Sequence, residues 1–301
     1  VTSALVSVVL ATNRVSPYLG EALGSVRAQT LRAARDGTVD PGAVELVVVD
    51  DGTPDAEAVP DALAAFADLE PVVVRQRPSG LQVARNAGIA VATGRYVTFL
   101  DDDDRWDPRR LERQVAPLEA DAALVASYCR FRVVDEDGAP LAVSDAFAEG
   151  PLTAADVLDD RVSIISPVMV VRRAALDRVG TFHPATAYAE DRDLSFRLAL
   201  DGAAWFVDEA LVDYRRHAGS MTNRRRAQWA GTERVLRLHR DALRAAGDGE
   251  LADVVERNRR RQRLALDPPR WRVALRTVAG PAVRRARAAL EQARQARSTR
   301  A

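Results

Sequence analysis

Asp101 to Asp104 form an unbroken run of four carboxylates directly after the apolar stretch Tyr96-Val97-Thr98-Phe99-Leu100. Two like charges at contact distance repel by about 4 kcal/mol at an effective dielectric of 20, so such a run persists only when solvated, protonated or neutralised by a cation. Oxygen donors of this kind suit Mg2+ or Mn2+, hard ions that keep water and are completed by substrate phosphates. A solvated acidic turn is the plain alternative. The position after a strand-like run argues for a site instead, because open α/β sheets bind ligands at the carboxyl ends of their strands.

Two more polar clusters hold equivalent positions. Thr12-Asn13-Arg14 follows the apolar run Ala4 to Leu10, and Asp50-Asp51-Gly52-Thr53 follows Glu45 to Val49. A carboxylate there can accept from ribose hydroxyls or a ring N–H, and glycine lets backbone approach a ligand; a turn or helix cap is the competing reading. No G-x-G-x-x-G follows the first strand and no G-x-x-x-x-G-K-S/T occurs, which argues against dinucleotide-binding enzymes and P-loop NTPases. Further along, Glu190-Asp191 precedes the helical pattern Leu194, Phe196, Leu198, Leu200, so both acids stand near a helix N-terminus where the macrodipole favours ionised carboxylates.

These residues need a scaffold, and the apolar pattern supplies one. Strands are predicted at Ala4 to Leu10, Glu45 to Val49, Val72 to Arg75 and Tyr96 to Leu100, with helices over Pro17 to Ala28, Pro60 to Leu69 and Leu81 to Ala92 between them. Strands apolar throughout, alternating with helices, indicate an α/β fold: a mainly parallel sheet covered by helices on both faces. All carboxyl ends then point one way, and the three polar clusters converge on one edge.

The 301 residues are 47% apolar, enough for a substantial core. The single cysteine, Cys129, lies in an apolar stretch and reads as core; no intrachain disulfide is possible, and a reducing, cytoplasmic location is expected. Neither a membrane span nor a signal peptide is indicated. Zero net charge hides an asymmetry: residues 1–223 carry 22 Arg and 35 acids (−13), residues 224–301 carry 21 Arg and 8 acids (+13). Within the basic part, Gln228 to Ala246 reads as an amphipathic helix packed on the rest of the chain. A second basic stretch around Trp271 has the pattern of helices that lie on anionic bilayers, so the tail is expected either to meet the inner face of the membrane or to pack on the acidic part. No zinc-finger spacing or RNP-type run points to nucleic acid.

Taken together, Ser7 to Arg14, Val48-Val49-Asp50-Asp51-Gly52-Thr53, Ala84-Arg85-Asn86-Ala87-Gly88 and Gly94-Arg95-Tyr96 through Phe99 to Trp106 resemble the family-2 inverting glycosyltransferases of GT-A fold. The resemblance covers about residues 5–222, leaving 223–301 as a basic helical C-terminal extension. It implies metal-dependent, inverting transfer of a sugar from a nucleotide-diphosphate-sugar to a hydroxyl on a glycan, lipid-linked or other acceptor, in cell-envelope synthesis. Under it Asp103 is the direct ligand for Mn2+ or Mg2+, with Asp101 and His217 supporting. Thr12, Asn13, Asp50, Asp51, Gly52, Arg85, Asn86, Asp102 and Asp104 form the nucleotide-sugar-binding set. Asp191 is the general base, Glu190 the second candidate, and Arg215 or Arg216 could meet the diphosphate. A nucleotidyltransferase is disfavoured because no early Gly-rich loop follows the first strand, and a non-catalytic nucleotide-sugar or membrane-binding module is disfavoured by the intact acidic elements.

Overall fold

The computed structural model describes residues 4–32 and 43–266. In chain order its strands are β1 (Val6–Thr12), β2 (Val44–Asp50), β3 (Val72–Arg75), β4 (Tyr96–Asp101), β5 (Arg105–Trp106), β6 (Leu124–Val134), β7 (Pro140–Val143), β8 (Gly150–Leu152), β9 (Met169–Arg172) and β10 (Ala203–Arg215). The helices are α1 (Leu19–Arg27), α2 (Ala58–Ala64), α3 (Leu81–Val91), α4 (Arg110–Ala120), α5 (Ala154–Leu158), α6 (Arg173–Val179), α7 (Glu190–Asp201), α8 (Arg225–Ala245) and α9 (Gly249–Leu266). The basic stretch around Trp271 and the segment beyond it lie outside the described residues.

One sheet runs in the order β3-β2-β1-β4-β9-β6-β10-β5, with β7 on β6 and β8 on β10. The expected parallel arrangement holds for β3, β2, β1 and β4. Beyond β4 the sheet becomes mixed, because β9 is antiparallel to both β4 and β6, while β6 and β10 are parallel to each other. The sequence around β9 holds nothing that reveals its direction. β3 also departs from a fully covered strand: it is the edge, and Val72 and Val73 are more than 40% exposed. The helix predicted from Pro60 to Leu69 ends at Ala64 and passes into a 3-10 turn, Ala67–Leu69.

All seven residues of β1 are buried, because alternate side chains enter different cores. Val6, Val8 and Leu10 pack with Leu19 and Leu23 of α1 and with Leu111 and Val115 of α4. Val9 joins the opposite core, with Ile89, Phe99 and Phe196. Helix α3 can lie close to the sheet because Gly88 has no side chain: a Cβ there would stand 2.4 Å from Val9 Cγ1. Cys129 is fully buried, and its thiol pKa is pushed up to about 11 by burial, so it is core, as expected.

Helices α8 and α9 share that core. Val235 and Leu236 of α8 and Ala252 and Val255 of α9 are completely buried. Gly231 permits α8 to approach the carbonyl of Ala187, where a Cβ would sit at 2.7 Å. His239 Nε2 lies 2.9 Å from Asp193 Oδ1 on α7, and buried Asn258 donates to the carbonyl of Leu158 at 2.8 Å. Helix α8 is thereby bolted to the element that begins with Glu190 and Asp191, and α9 to α5.

The Gly88 contact gives a first prediction. Gly88→Ala is expected to cost about 1–3 kcal/mol of unfolding free energy through overpacking against Val9. Urea unfolding measures it, and an unchanged midpoint would show that α3 can retreat from the sheet freely.

Candidate active site

At the carboxyl edge of the sheet the three polar clusters do meet. Thr12 Oγ1 donates to Asp102 Oδ2 at 2.6 Å, and the amide of Asp51 donates to the carbonyl of Thr12 at 2.7 Å. The acidic run turns between β4 and β5 and is held from the far side by β10. Arg215 donates through its amide to Asp104 Oδ1 and through Nε to the carbonyl of Asp103, at 2.8 and 2.9 Å. His217 follows β10, and its Nε2 lies 2.9 Å from Asp103 Oδ2. Its Nδ1 accepts from the Gly219 amide at 3.1 Å, which assigns the Nε2 proton to the Asp103 contact.

Crowding these acids raises their proton affinity. Asp102 is pushed up to about 7, chiefly by burial and then by the charges of Asp103 and Asp101, with the Thr12 hydrogen bond opposing. Asp103 and Asp104 are raised by the same two causes, burial first. Asp104 Oδ2 is buried without a hydrogen-bond partner. The cluster therefore holds more negative charge than the protein neutralises. Among the described residues no group of three His, Cys, Asp or Glu side chains stands ready as a closed cation cage.

Across the cleft stands the acid pair at the start of α7. Glu190 is buried and half of its carboxylate faces Arg85, at 3.6 Å, while its Oε2 has no partner. Arg85, 3% exposed, also pairs with Asp101 and donates to Ser166 Oγ at 3.0 Å. Asp191 accepts the Arg192 amide on Oδ1 at 2.8 Å, and its other oxygen has no protein partner among the described residues. Its pKa is pushed up to about 7, by burial first and by the charge of Glu190 second.

Two cavities open here. One, of about 520 Å³, runs from Thr12, Asn13 and Asp51 over Asp101, Asp102 and Asp103. The other, of about 370 Å³, contains Arg85, Glu190, Asp191 and residues of α8 and α9. Asp101, Tyr188, Tyr214, Leu81 and Met221 line both, so the cavities are adjacent compartments of one cleft.

Not every residue expected in the donor-binding set faces this space. Asp50 is 1% exposed, accepts the Thr53 amide at 2.7 Å and pairs with Arg75. Gly52 has φ +82° and lies against Pro78. Asn86 uses both ends of its amide on the backbone of Phe182, at 2.7 and 2.9 Å. Asp104 gives one oxygen to the Arg215 amide and lines neither cavity. These four stand behind the cleft: Asp50 and Asp104 serve the turns after β2 and β4, Gly52 packs on Pro78, and Asn86, on α3, holds the Phe182 backbone. Asp51 does line the larger cavity, yet three hydrogen bonds, from Gln76 and from the amides of Ser79 and Gly80, already occupy its carboxylate. Arg215, weighed for the diphosphate, is also unavailable: it is buried, bonds Glu21 at 2.7 Å and stacks on Tyr18.

Other residues take the vacated places. Arg14 and Arg224 line the larger cavity, and Tyr188 stands at the junction in a left-handed conformation, φ +68°, its hydroxyl accepting from Arg224 at 2.9 Å. Such a backbone is uncommon for a bulky residue and signals a local constraint. Arg14 lies within a motif quoted above, but nothing in the sequence announces Tyr188 or Arg224.

A profile described as Glycosyl transferase family 2 matches residues 7–180, more than half of the chain. The chain belongs to this family. Bacillus subtilis TuaG, a glycosyltransferase named for teichuronic acid biosynthesis, is 29% identical over 206 residues, covering 65% of this chain and 78% of that protein. An uncharacterized glycosyltransferase of Nostoc sp., alr2836, is 27% identical over 272 residues, 83% of this chain and 79% of its own. Among solved structures, residues 1–349 of S. aureus TarS in complex with UDP-GlcNAc superimpose with a TM-score of 0.68 at 18% identity, covering 87% of this chain and 73% of that one. Another solved S. aureus TarS chain is matched over 43% of its length. The fold is the mixed α/β fold of GT-A glycosyltransferases, and the protein is a glycosyltransferase.

Arg85 provides the prediction for this geometry. Arg85→Met leaves Asp101 and Glu190 without their shared cation and is expected to lower unfolding free energy by about 3–5 kcal/mol at pH 8. Arg85→Lys, which keeps the charge, should recover part of the loss; equal losses in the Met and Lys variants, read by urea unfolding, would contradict an electrostatic origin.

Proposed function

We propose that this family-2 glycosyltransferase carries out metal-dependent, inverting transfer of a sugar from a nucleotide-diphosphate-sugar to a hydroxyl of a cell-envelope glycan or glycoconjugate. The observation that carries this reading is the opposition, across adjacent cavities, of an acidic cluster short of positive charge and a carboxylate, Asp191, with a free oxygen and a raised pKa.

The residues of the acidic cluster fit a divalent cation. Asp103 offers a partly exposed carboxylate with His217 beside it, and Asp101 and Asp102 lie next to it in the same cavity. One or two carboxylates completed by substrate phosphates is the usual protein contribution to Mg2+ or Mn2+. When bound, the ion supplies neutralisation of the donor's diphosphate. Asp101 has the lesser share, since Arg85 already holds one of its oxygens. Thr12, Asn13, Asp51 and Asp102 form the wall for the nucleoside, while the guanidinium groups of Arg14 and Arg224 suit the diphosphate oxygens. TarS residues 1–349 have been solved with UDP-GlcNAc and with UDP, which makes uridine nucleotides the first donors to try.

Asp191 then acts as general base. Its carboxylate takes the proton of the acceptor hydroxyl while the hydroxyl oxygen bonds to the anomeric carbon; the bond from that carbon to the diphosphate oxygen breaks, its electron pair leaves with the nucleotide, and configuration inverts. A pKa near 7 makes the base half-ionised at neutral pH and strong enough to accept the proton. Glu190, fixed by Arg85, keeps the start of α7 and with it Asp191 in place beside the cavity.

Three outcomes are expected. Nucleoside diphosphates with Mn2+ or Mg2+ raise the melting temperature, and EDTA or Asp103→Ala abolishes the shift; a shift indifferent to both would remove the metal from the account. Asp191→Asn lowers transfer by about 10²–10⁴-fold with donor affinity retained, and the wild-type rate rises with pH through a midpoint near 7. Stability moves the other way: the folded pKa lies above that of an unfolded Asp, so ionisation of Asp191 costs stability as pH rises from about 4 to 7. Asp191→Asn should therefore raise the melting temperature more at pH 8 than at pH 5, and a larger gain at pH 5 would contradict the burial argument.

A further inference from the structure

The wall of the smaller cavity opposite Asp191 comes from α8 and α9, outside the residues that match the family profile. Helix α8 has two working stripes. Gly231, Val235, Leu236, His239 and Leu243 are buried against the rest of the protein. Arg225, Gln228, Trp229 and Thr232, spaced three and four apart, line the cavity. A helix facing only a packing partner has no need of an indole, an amide and a hydroxyl at these positions.

Their hydrogen-bonding capacity is unspent. The described residues provide no side-chain partner for the indole N–H of Trp229, the amide of Gln228 or the hydroxyl of Thr232, although all three side chains are only partly exposed. Gln262 of α9 is oriented toward the same space: its Nε2 donates to Asp160 Oδ2 at 2.7 Å, which leaves its carbonyl oxygen free. Asp160 is held in turn, in a left-handed backbone conformation with φ +58°, and its Oδ2 pairs with Arg192 at 2.9 Å. Glu190 and Asp191 line the cavity from the other side.

The chemistry of this wall selects among occupants. A lipid chain would leave these polar groups buried and unpaired, at a cost of about 1–3 kcal/mol each. An anion would meet Asp101, Asp160, Glu190 and Asp191 against only Arg85, Arg192 and Arg225. A neutral sugar ring offers a C–H face to stack on an indole and hydroxyls on its edge for amide, hydroxyl and carboxylate groups.

We propose that Trp229, Gln228, Thr232 and Gln262 form a saccharide subsite for the acceptor, so that the hydroxyl deprotonated by Asp191 belongs to a neutral glycosyl residue whose ring rests on Trp229. This rests on the transferase reading above and adds the acceptor class to it. Residues 225–266 thus serve as the specificity wall of the active site.

The test uses the full chain with UDP and Mn2+ and reads saturation-transfer NMR from a panel of methyl hexopyranosides, with glycerol 3-phosphate and octanol as comparators. At least one pyranoside is expected to show saturation at its ring C–H protons. Its dissociation constant should rise at least fivefold in Trp229→Ala and in Gln262→Leu, with Trp229→Phe retaining part of the affinity. The nucleotide-dependent thermal shift should be unchanged in all three variants, showing an intact fold and donor site. No pyranoside signal, equal affinity in Trp229→Ala, or stronger binding of glycerol 3-phosphate or octanol would each overturn the subsite. A missing thermal shift with every nucleotide tested would instead strike at the donor reading on which the subsite rests.

Discussion

The guanidinium of Arg85 is the point on which the site depends. It lies buried between Asp101, at the end of a strand in the first half of the chain, and Glu190, at the start of a helix in the second half, with Ser166 as a third partner. Isolated, any of these charges would be expensive to bury; together the one cation offsets part of the two anions and ties the end of β4 to the start of α7. The clamp leaves each acid half-used. Asp101 keeps an oxygen for the cleft, and Asp191, adjacent to Glu190, is carried into position by the same bond.

Around that clamp the charges are layered. Carboxylates form the floor, raised in proton affinity by burial and by one another. Arginines that can reach them, Arg14 and Arg224, stand at the rim and not in the floor. Arg215 completes the arrangement from beneath, bonding backbone carbonyls and a distant glutamate so that its charge supports the acidic turn without filling the space above it. A floor that is anionic and a rim that is cationic favour a ligand joining an anion to a cation, as a metal-bound diphosphate does.

Much of this was legible in the residues. The first four strands and the convergence of Thr12, Asp51 and Asp101 to Asp103 follow from hydrophobic runs whose polar ends must share an edge in a parallel sheet. Local signals fail where partners are distant. Asp50, Gly52, Asn86 and Asp104 carry site-like residue types, yet their atoms are consumed by Arg75, Pro78, Phe182 and Arg215, contacts that no spacing rule exposes. The direction of β9 escaped for the same reason, as did Tyr188, whose importance lies in a backbone angle. The α8 helix was readable as amphipathic; its second, cavity-facing stripe was readable only once the cavity existed.

The short strand β5 has one partner in the sheet, β10, which the ribosome makes about a hundred residues later. Until Val212 and Asp213 emerge, Trp106 and Arg105 have no strand to pair with, and the acidic turn has an anchor on one side alone. His217 arrives later still. Translation thus completes the acidic end of the cleft after nearly all of the surrounding sheet, and a nascent chain interrupted before that stretch carries the four aspartates without Arg215 and His217 to hold Asp103 and Asp104.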